Sequence, residues 1–233
     1  MTRKNTPATP SVFDAVLWDM DGTLVDTEPY WIEREHEIVA EHGNGAWTDD
    51  HAHALVGFDL RDSARYISHH GQIDLPVDDI VNLLLDGVIQ RVRQHMPWRP
   101  GARELLADLQ LAGVPCALVT MSWRRFADAV VDELPAGSFQ ALVVGDDVTD
   151  GKPHPEPYLT AARLLDVQPS RCVAIEDSPT GVRSAVAAGC ITIGVPHVVT
   201  MPHDLGHRHL DSLDGMLLTD LQAFVRQSVA GAR

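Results

Sequence analysis

The sequence predicts a doubly wound α/β protein: a parallel, Rossmann-like sheet with helices on both faces and a helical domain inserted after the first strand. Three observations carry that expectation. Short apolar, β-rich runs recur along the chain, amphipathic stretches separate them, and the interval from about residue 28 to 96 shows helical periodicity with no convincing strand.

Taken in order, the first strand falls in FDAVLW (13–18), the second in VPCALVT (114–120), and three more in ALVVG (141–145), RCVAIED (171–177) and ITIGV (191–195). Each is a nearly continuous apolar run, the pattern of a strand buried on both faces. GARELLADLQLAG, bracketed by Gly101 and Gly113, precedes the second strand, and WRRFADAVVDEL, EPYLTAARLLDV and PTGVRSAVAAG follow later ones. All have helical spacing. In the inserted interval, WIEREHEIVAEHG, LRDSARYISHHG and DDIVNLLLDGVIQRVRQHM have it too. Asp49-Asp50 and Asp78-Asp79 fall at expected helix starts, where carboxylates suit the macrodipole. Pro97 and Pro100 punctuate the return, where helix is disfavoured and a stiff hinge is expected. The expected division is a core of residues 1–26 and 97–233 around a helical domain of residues 27–96.

The chain has 233 residues, 45% hydrophobic and 22% charged, enough to bury a core without disulfides or structural metals. Its 18 basic and 33 acidic side chains give a formal charge of −15, which opposes a phosphate polymer or an anionic bilayer as partner. Cys116, Cys172 and Cys190 stand far apart, without C-x-x-C spacing, and read as reduced core thiols. The start lacks the apolar region of a secretory signal, and no run approaches a membrane span. A soluble, cytoplasmic protein without an obligate protein partner is expected. The histidines of PHDLGHRH (His203, His207, His209) and His69-His70 are irregularly spaced with no cysteine nearby, so a solvated segment is expected rather than a zinc site.

In an open parallel sheet, ligands bind beyond the carboxyl ends of the strands. Here those ends are polar. The first strand runs into Asp19-Met20-Asp21-Gly22-Thr23, the second ends at Thr120 and Ser122, the fourth ends at Glu176-Asp177-Ser178, and Lys152 follows the third after a short loop. A lone D-x-D reads equally well as a turn. Four carboxylates that converge repel one another and lose hydration, an arrangement that holds together around a cation. Oxygen ligands of this kind suit Mg²⁺. Lys152 would ordinarily be a surface lysine, but the chain has 16 arginines and only two lysines, Lys4 and Lys152. A compact ammonium fits between a phosphoryl oxygen and carboxylates where a guanidinium fork does not.

These residues resemble the haloacid dehalogenase superfamily of aspartate-nucleophile phosphotransferases over nearly the whole chain. DMDGT looks like its first motif, Thr120 its second, Lys152 within GKPHP its third, and Glu176-Asp177 within EDSPTG its fourth. The helical insertion after the first motif resembles the C1-type cap of the β-phosphoglucomutase-like subfamily. The resemblance implies that Asp19 attacks phosphorus and that Asp21 serves as general acid and base. It also implies that Thr120, Ser122 and Lys152 hold the phosphoryl group, and that Asp19, Asp21 (through its carbonyl), Glu176 and Asp177 bind Mg²⁺. The implied substrate is a small phosphorylated metabolite, a sugar phosphate.

Related chemistries fit less well. Dehalogenases of the superfamily lack the second aspartate of D-x-D, and phosphonatases use a cap lysine that this chain cannot supply between Lys4 and Lys152. A β-phosphoglucomutase-type mutase remains the alternative. Where such mutases place a histidine after the first motif this chain has Trp31, and where they place a cap arginine GFDL has Leu60, with Arg61 one step away as a candidate substrate contact. A non-catalytic protein that kept the fold is the other alternative; all four motifs being complete speaks for an enzyme.

Overall fold

The computed structural model of the protein describes residues 12–55 and 59–231. The polar N-terminal residues, and Gly57 and Phe58 of the GFDL segment, lie outside the described residues. Five strands form where the apolar runs predict them: β1 (Ala15–Trp18), β2 (Cys116–Val119), β3 (Ala141–Val143), β4 (Cys172–Glu176) and β5 (Ile191–Gly194). A sixth, β6 (Arg208–His209), lies within PHDLGHRH, a segment expected to be a solvated loop. Two residues are too few for hydrophobic alternation to announce a strand. It is held instead by its neighbour, Arg208 pairing with Ile193 and His209 with Gly194, while the Thr192 amide donates to His207 Nδ1 at 3.1 Å.

The six strands order as β3-β2-β1-β4-β5-β6, every pair parallel. Among the described residues, four helices fill the inserted interval after β1: α1 (Glu28–His42), α2 (Asp49–His53), α3 (Leu60–Gly71) and α4 (Val77–Gln94). Then come α5 (Ala102–Leu111), α6 (Arg124–Asp132), α7 (Glu156–Leu164), α8 (Pro179–Ala187) and α9 (Leu218–Gly231). The last of these was not expected from the sequence. Asp49 and Asp78 do stand in first turns, of α2 and α4.

Alternation along the strands makes the layers. Ala15 and Leu17 of β1, with Ala117, Val119, Cys172 and Ala174 of its neighbours, pack under Tyr158, Ala161 and Ala162 of α7 and Ala185 of α8. Val16 and Trp18, with Leu118, Val173 and Ile175, face the opposite way, towards α5, α6 and α9. Both faces of the central strands are therefore dry, and each large apolar side chain so buried contributes about 1.5–3 kcal/mol. Within the insertion, α4 packs along α1 and α3, and it also reaches α6 of the core. No described helix is long and apolar enough to cross a membrane.

The chain crosses between core and insertion twice, and the crossings pair. Val25 bridges Trp98, the Asp26 amide donates to the Pro97 carbonyl at 2.7 Å, and the Arg99 amide donates to the Leu24 carbonyl at 3.0 Å. His197, beyond β5, meets Asp26 at 3.1 Å.

Candidate active site

The parallel sheet delivers its C-terminal ends to one edge, and the residues expected there arrive together. Asp19, one residue past β1, is 7% exposed. Its Oδ1 accepts from Lys152 Nζ at 2.6 Å, and its Oδ2 is buried without a hydrogen-bond partner. The same ammonium lies 2.6 Å from Glu176 Oε1 and donates to the Val119 carbonyl at 2.9 Å. Lys152 thus ties together the ends of β1, β2 and β4. Burial pulls its pKa down, but the charges of Asp19 and Glu176 outweigh that and hold it above the ordinary lysine value.

Glu176 has a second donor that sequence reasoning missed. The hydroxyl of Tyr158, on the buried face of α7, donates to Oε1 at 2.7 Å. A buried tyrosine needs such a partner, so its place in an otherwise small-residue helix face was the available signal. Ser178 donates to Oε2 at 3.3 Å and also caps α8 by accepting from the Gly181 amide at 3.1 Å. Gly181 is there for clearance: a Cβ on it would lie 1.9 Å from Glu176 Oε1.

Asp21 is bound by hydroxyls. Thr27 Oγ1 donates to Oδ1 at 2.9 Å, Ser122 Oγ donates to Oδ2 at 2.7 Å, and Thr120 Oγ1 reaches Oδ2 at a long 3.4 Å. Thr120 also accepts from the Ser122 amide at 3.0 Å, which fixes the turn after β2. Burial raises the Asp21 pKa, opposed by the Ser122 hydrogen bond and reinforced by the charge of Asp19. Such a carboxyl keeps its proton more readily than a free aspartate. Thr27 is the second residue sequence reasoning passed over; nothing local distinguishes it from a helix cap.

Between the two ends sits Asp177. Gly22, at φ 82°, turns the chain so tightly beside it that a Cβ there would lie 2.2 Å from Asp177 Oδ2. Burial, then the charges of Asp19 and Glu176, push Asp177 up to about 8. Asp19, Glu176 and Asp177 each offer one carboxylate oxygen within 4.8 Å of the others. The orphaned Asp19 Oδ2 and the raised Asp177 both mark negative charge that Lys152 alone leaves unbalanced, and hard oxygen donors in that number fit Mg²⁺. Arg61 stands outside the hydrogen-bonded cluster. Its guanidinium pairs with Asp78 at 2.8 Å and lies 5.7 Å over the ring of Trp123, next to Ser122, without bonding to any of these carboxylates.

A Rossmann-like core with this constellation at its switch point defines a class of α/β hydrolases. The sequence model described as "Haloacid dehalogenase-like hydrolase" matches residues 16–195, and the chain belongs to that family, in its β-phosphoglucomutase-like branch. Hexitol phosphatase A of Escherichia coli is 34% identical over 193 residues, 77% of this chain and 81% of its own. A phosphorylated carbohydrates phosphatase of Thermotoga maritima is 31% identical over 186 residues, 79% and 86% of the two chains. Among solved structures, CbbY from Rhodobacter sphaeroides in complex with phosphate superposes with a TM-score of 0.76 at 29% identity, covering 90% of this chain and 99% of that one. Both of these curated relatives are named as phosphatases.

Proposed function

We propose that the chain is a Mg²⁺-dependent phosphomonoesterase of a sugar phosphate, working through an aspartyl phosphate on Asp19. The observation that carries the reading is the unpartnered Oδ2 of Asp19 beside a carboxyl, Asp21, whose pKa is raised by burial. Oδ2 attacks phosphorus. Lys152 screens the phosphoryl charge, and Thr120 and Ser122 offer hydroxyls to its oxygens. Asp21 gives its proton to the departing sugar oxygen, and the carboxylate left behind takes one from the water that then hydrolyses the acyl phosphate. Asp19, Asp177, Glu176 and the Asp21 carbonyl would hold the cation, which when bound neutralises the phosphoryl oxygens. Glu176, occupied by Lys152 and Tyr158, is as much the anchor of the lysine as a ligand.

The proposal includes a cap, residues 27–96, that closes over this edge of a core made of residues 1–26 and 97–233, so that water is excluded during transfer. It also places the protein in the cytoplasm, in keeping with three free, buried cysteines. Hydrolysis is favoured over mutase chemistry because Trp31 packs edge-on against Phe126, with ring centroids 5.3 Å apart, and an indole cannot relay a proton. A panel of phosphorylated metabolites assayed for released phosphate, with and without Mg²⁺, tests the reading. Glucose 1-phosphate with a bisphosphate primer should release phosphate or not react; isomerisation without phosphate release would replace phosphatase with mutase.

A further inference from the structure

Glu35 is a buried ionisable side chain that the phosphatase chemistry leaves unused. It is 5% exposed, and its Oε2 has no hydrogen-bond partner. Arg34 of α1 and Arg91 of α4 are committed elsewhere. Arg34 donates to the Leu83 carbonyl and pairs with Glu37, and Arg91 pairs with Glu33 and Glu37. A carboxyl kept under these conditions costs stability, so an internal ion pair does not explain it.

Its place on α1 shows what it faces. Glu28, Trp31 and Glu35 stand at i, i+3 and i+7, on one side of the helix. At the foot of that side Thr27 donates to Asp21 at 2.9 Å. Glu28, beside it, has its pKa raised by burial and then by the charges of Asp21 and Asp26. One turn on, Trp31 meets Phe126 of the core. Glu35 is the next member of the same line, leading away from Asp21 along α1. From Glu28 to Glu35 the helix rises about 10 Å, and helical side chains lean back towards the N-terminus, so the line spans a chain of five or six carbons extending from the phosphate.

We infer that Glu28 and Glu35 line the leaving-group end of the cleft, where they hydrogen-bond the hydroxyls of a neutral, polyhydroxylated alcohol and disfavour a second phosphate or carboxylate. The inference rests on the phosphatase reading above and narrows its substrate class. Burial and the charge of Glu28 push Glu35 up to about 8, so near neutral pH it presents a carboxyl that donates and accepts or a carboxylate that accepts. A hydroxyl, which does both, pairs with either form. A phosphate dianion brings only acceptors, and the carboxyl groups of Asp26 and Glu28 along the same side offer it no donor once ionised. Arg61, the candidate cation for it, pairs with Asp78.

The test measures kcat/KM of the full chain with Mg²⁺ on a hexitol monophosphate, the matching hexitol bisphosphate and phenyl phosphate, which carries no hydroxyl. The wild type should prefer the monophosphate to the bisphosphate by about tenfold or more. Glu35→Gln should lose about tenfold more on the hexitol phosphate than on phenyl phosphate, the scale of one hydrogen bond to a buried carboxyl, and should narrow the preference against the bisphosphate. Glu28→Gln supplies the same comparison should the first variant not fold. A wild type that takes the bisphosphate as readily, or glutamine variants that lose equally on both esters, overturns the inference and leaves the phosphatase standing. Hydrolysis of none of the three esters overturns the phosphatase reading and the inference with it.

Discussion

Lys152 holds Asp19 by one oxygen and leaves the other free: Nζ is 2.6 Å from Oδ1, while Oδ2 is buried with no partner. The ammonium restrains the carboxylate from rotating and leaves the unshared oxygen open, as the proposed attack on phosphorus requires. A second contact of equal length, to Glu176, fastens the same ammonium to β4. The proposed nucleophile and the proposed charge-neutralising group are therefore tied into one unit that joins the ends of β1, β2 and β4.

Asp19→Asn tests the nucleophile. The amide is nearly isosteric but a poor nucleophile, so turnover should drop by several decades while the thermal melt stays cooperative, each decade being about 1.4 kcal/mol of barrier. Turnover within about tenfold of the parent would sink the assignment.

Asp21→Asn tests the acid. Acid help matters most when the departing alkoxide is strongly basic, so a sugar phosphate should lose more transfer rate than p-nitrophenyl phosphate. Single-turnover measurements should also show the aspartyl phosphate persisting longer on the activated ester. Equal losses on both, with Mg²⁺ affinity reduced in parallel, would make Asp21 a ligand only.

Gly181→Ala tests whether Glu176 works through position. The added methyl would fall 1.9 Å from Oε1, so the carboxylate must move and Lys152 with it. A loss of about ten- to a hundredfold in kcat is expected although the altered residue touches no reacting atom, the size seen when supporting contacts slip by an ångström. Activity equal to the parent would show that Glu176 tolerates displacement.

Asp177 predicts how stability responds to pH and metal. Its folded pKa, pushed up to about 8, lies far above the aspartate reference of 3.8. Between those values the unfolded chain has released the proton and the folded chain retains it, so without a cation this group's contribution to stability falls as pH rises through that window. A bound cation favours the ionised carboxylate, so the rise in Tm on adding Mg²⁺ should be larger at pH 8 than at pH 6. Thermal melts at both pH values, with Mg²⁺ and with a chelator, check this; a Tm unmoved by Mg²⁺ at either pH would count against a cation at this site.

The sheet was legible because its strands are buried on both faces: an apolar run such as Cys172–Ile175 has few other uses, and polar residues at the end of such a run must lie at the ligand edge. Asp19, Asp21, Lys152, Glu176 and Asp177 could be singled out on that ground, since order along the chain fixes which strand end each one occupies. Chemistry read from residue type, carboxylates needing a cation and a rare lysine needing anions, added the rest. What the one-dimensional chain could not contain is who touches whom. Tyr158 and Glu176 are 18 residues apart, Thr120 and Asp21 are 99 apart, and β6 exists only because β5 offers it an edge. Gly181 looks like any helix glycine until the Glu176 carboxylate is seen against it, and Glu35 looks like any surface glutamate until α1 turns it inward without a partner. Sequence periodicity reports which face of an element is apolar; only packing decides which polar group is left inside, and with what charge beside it.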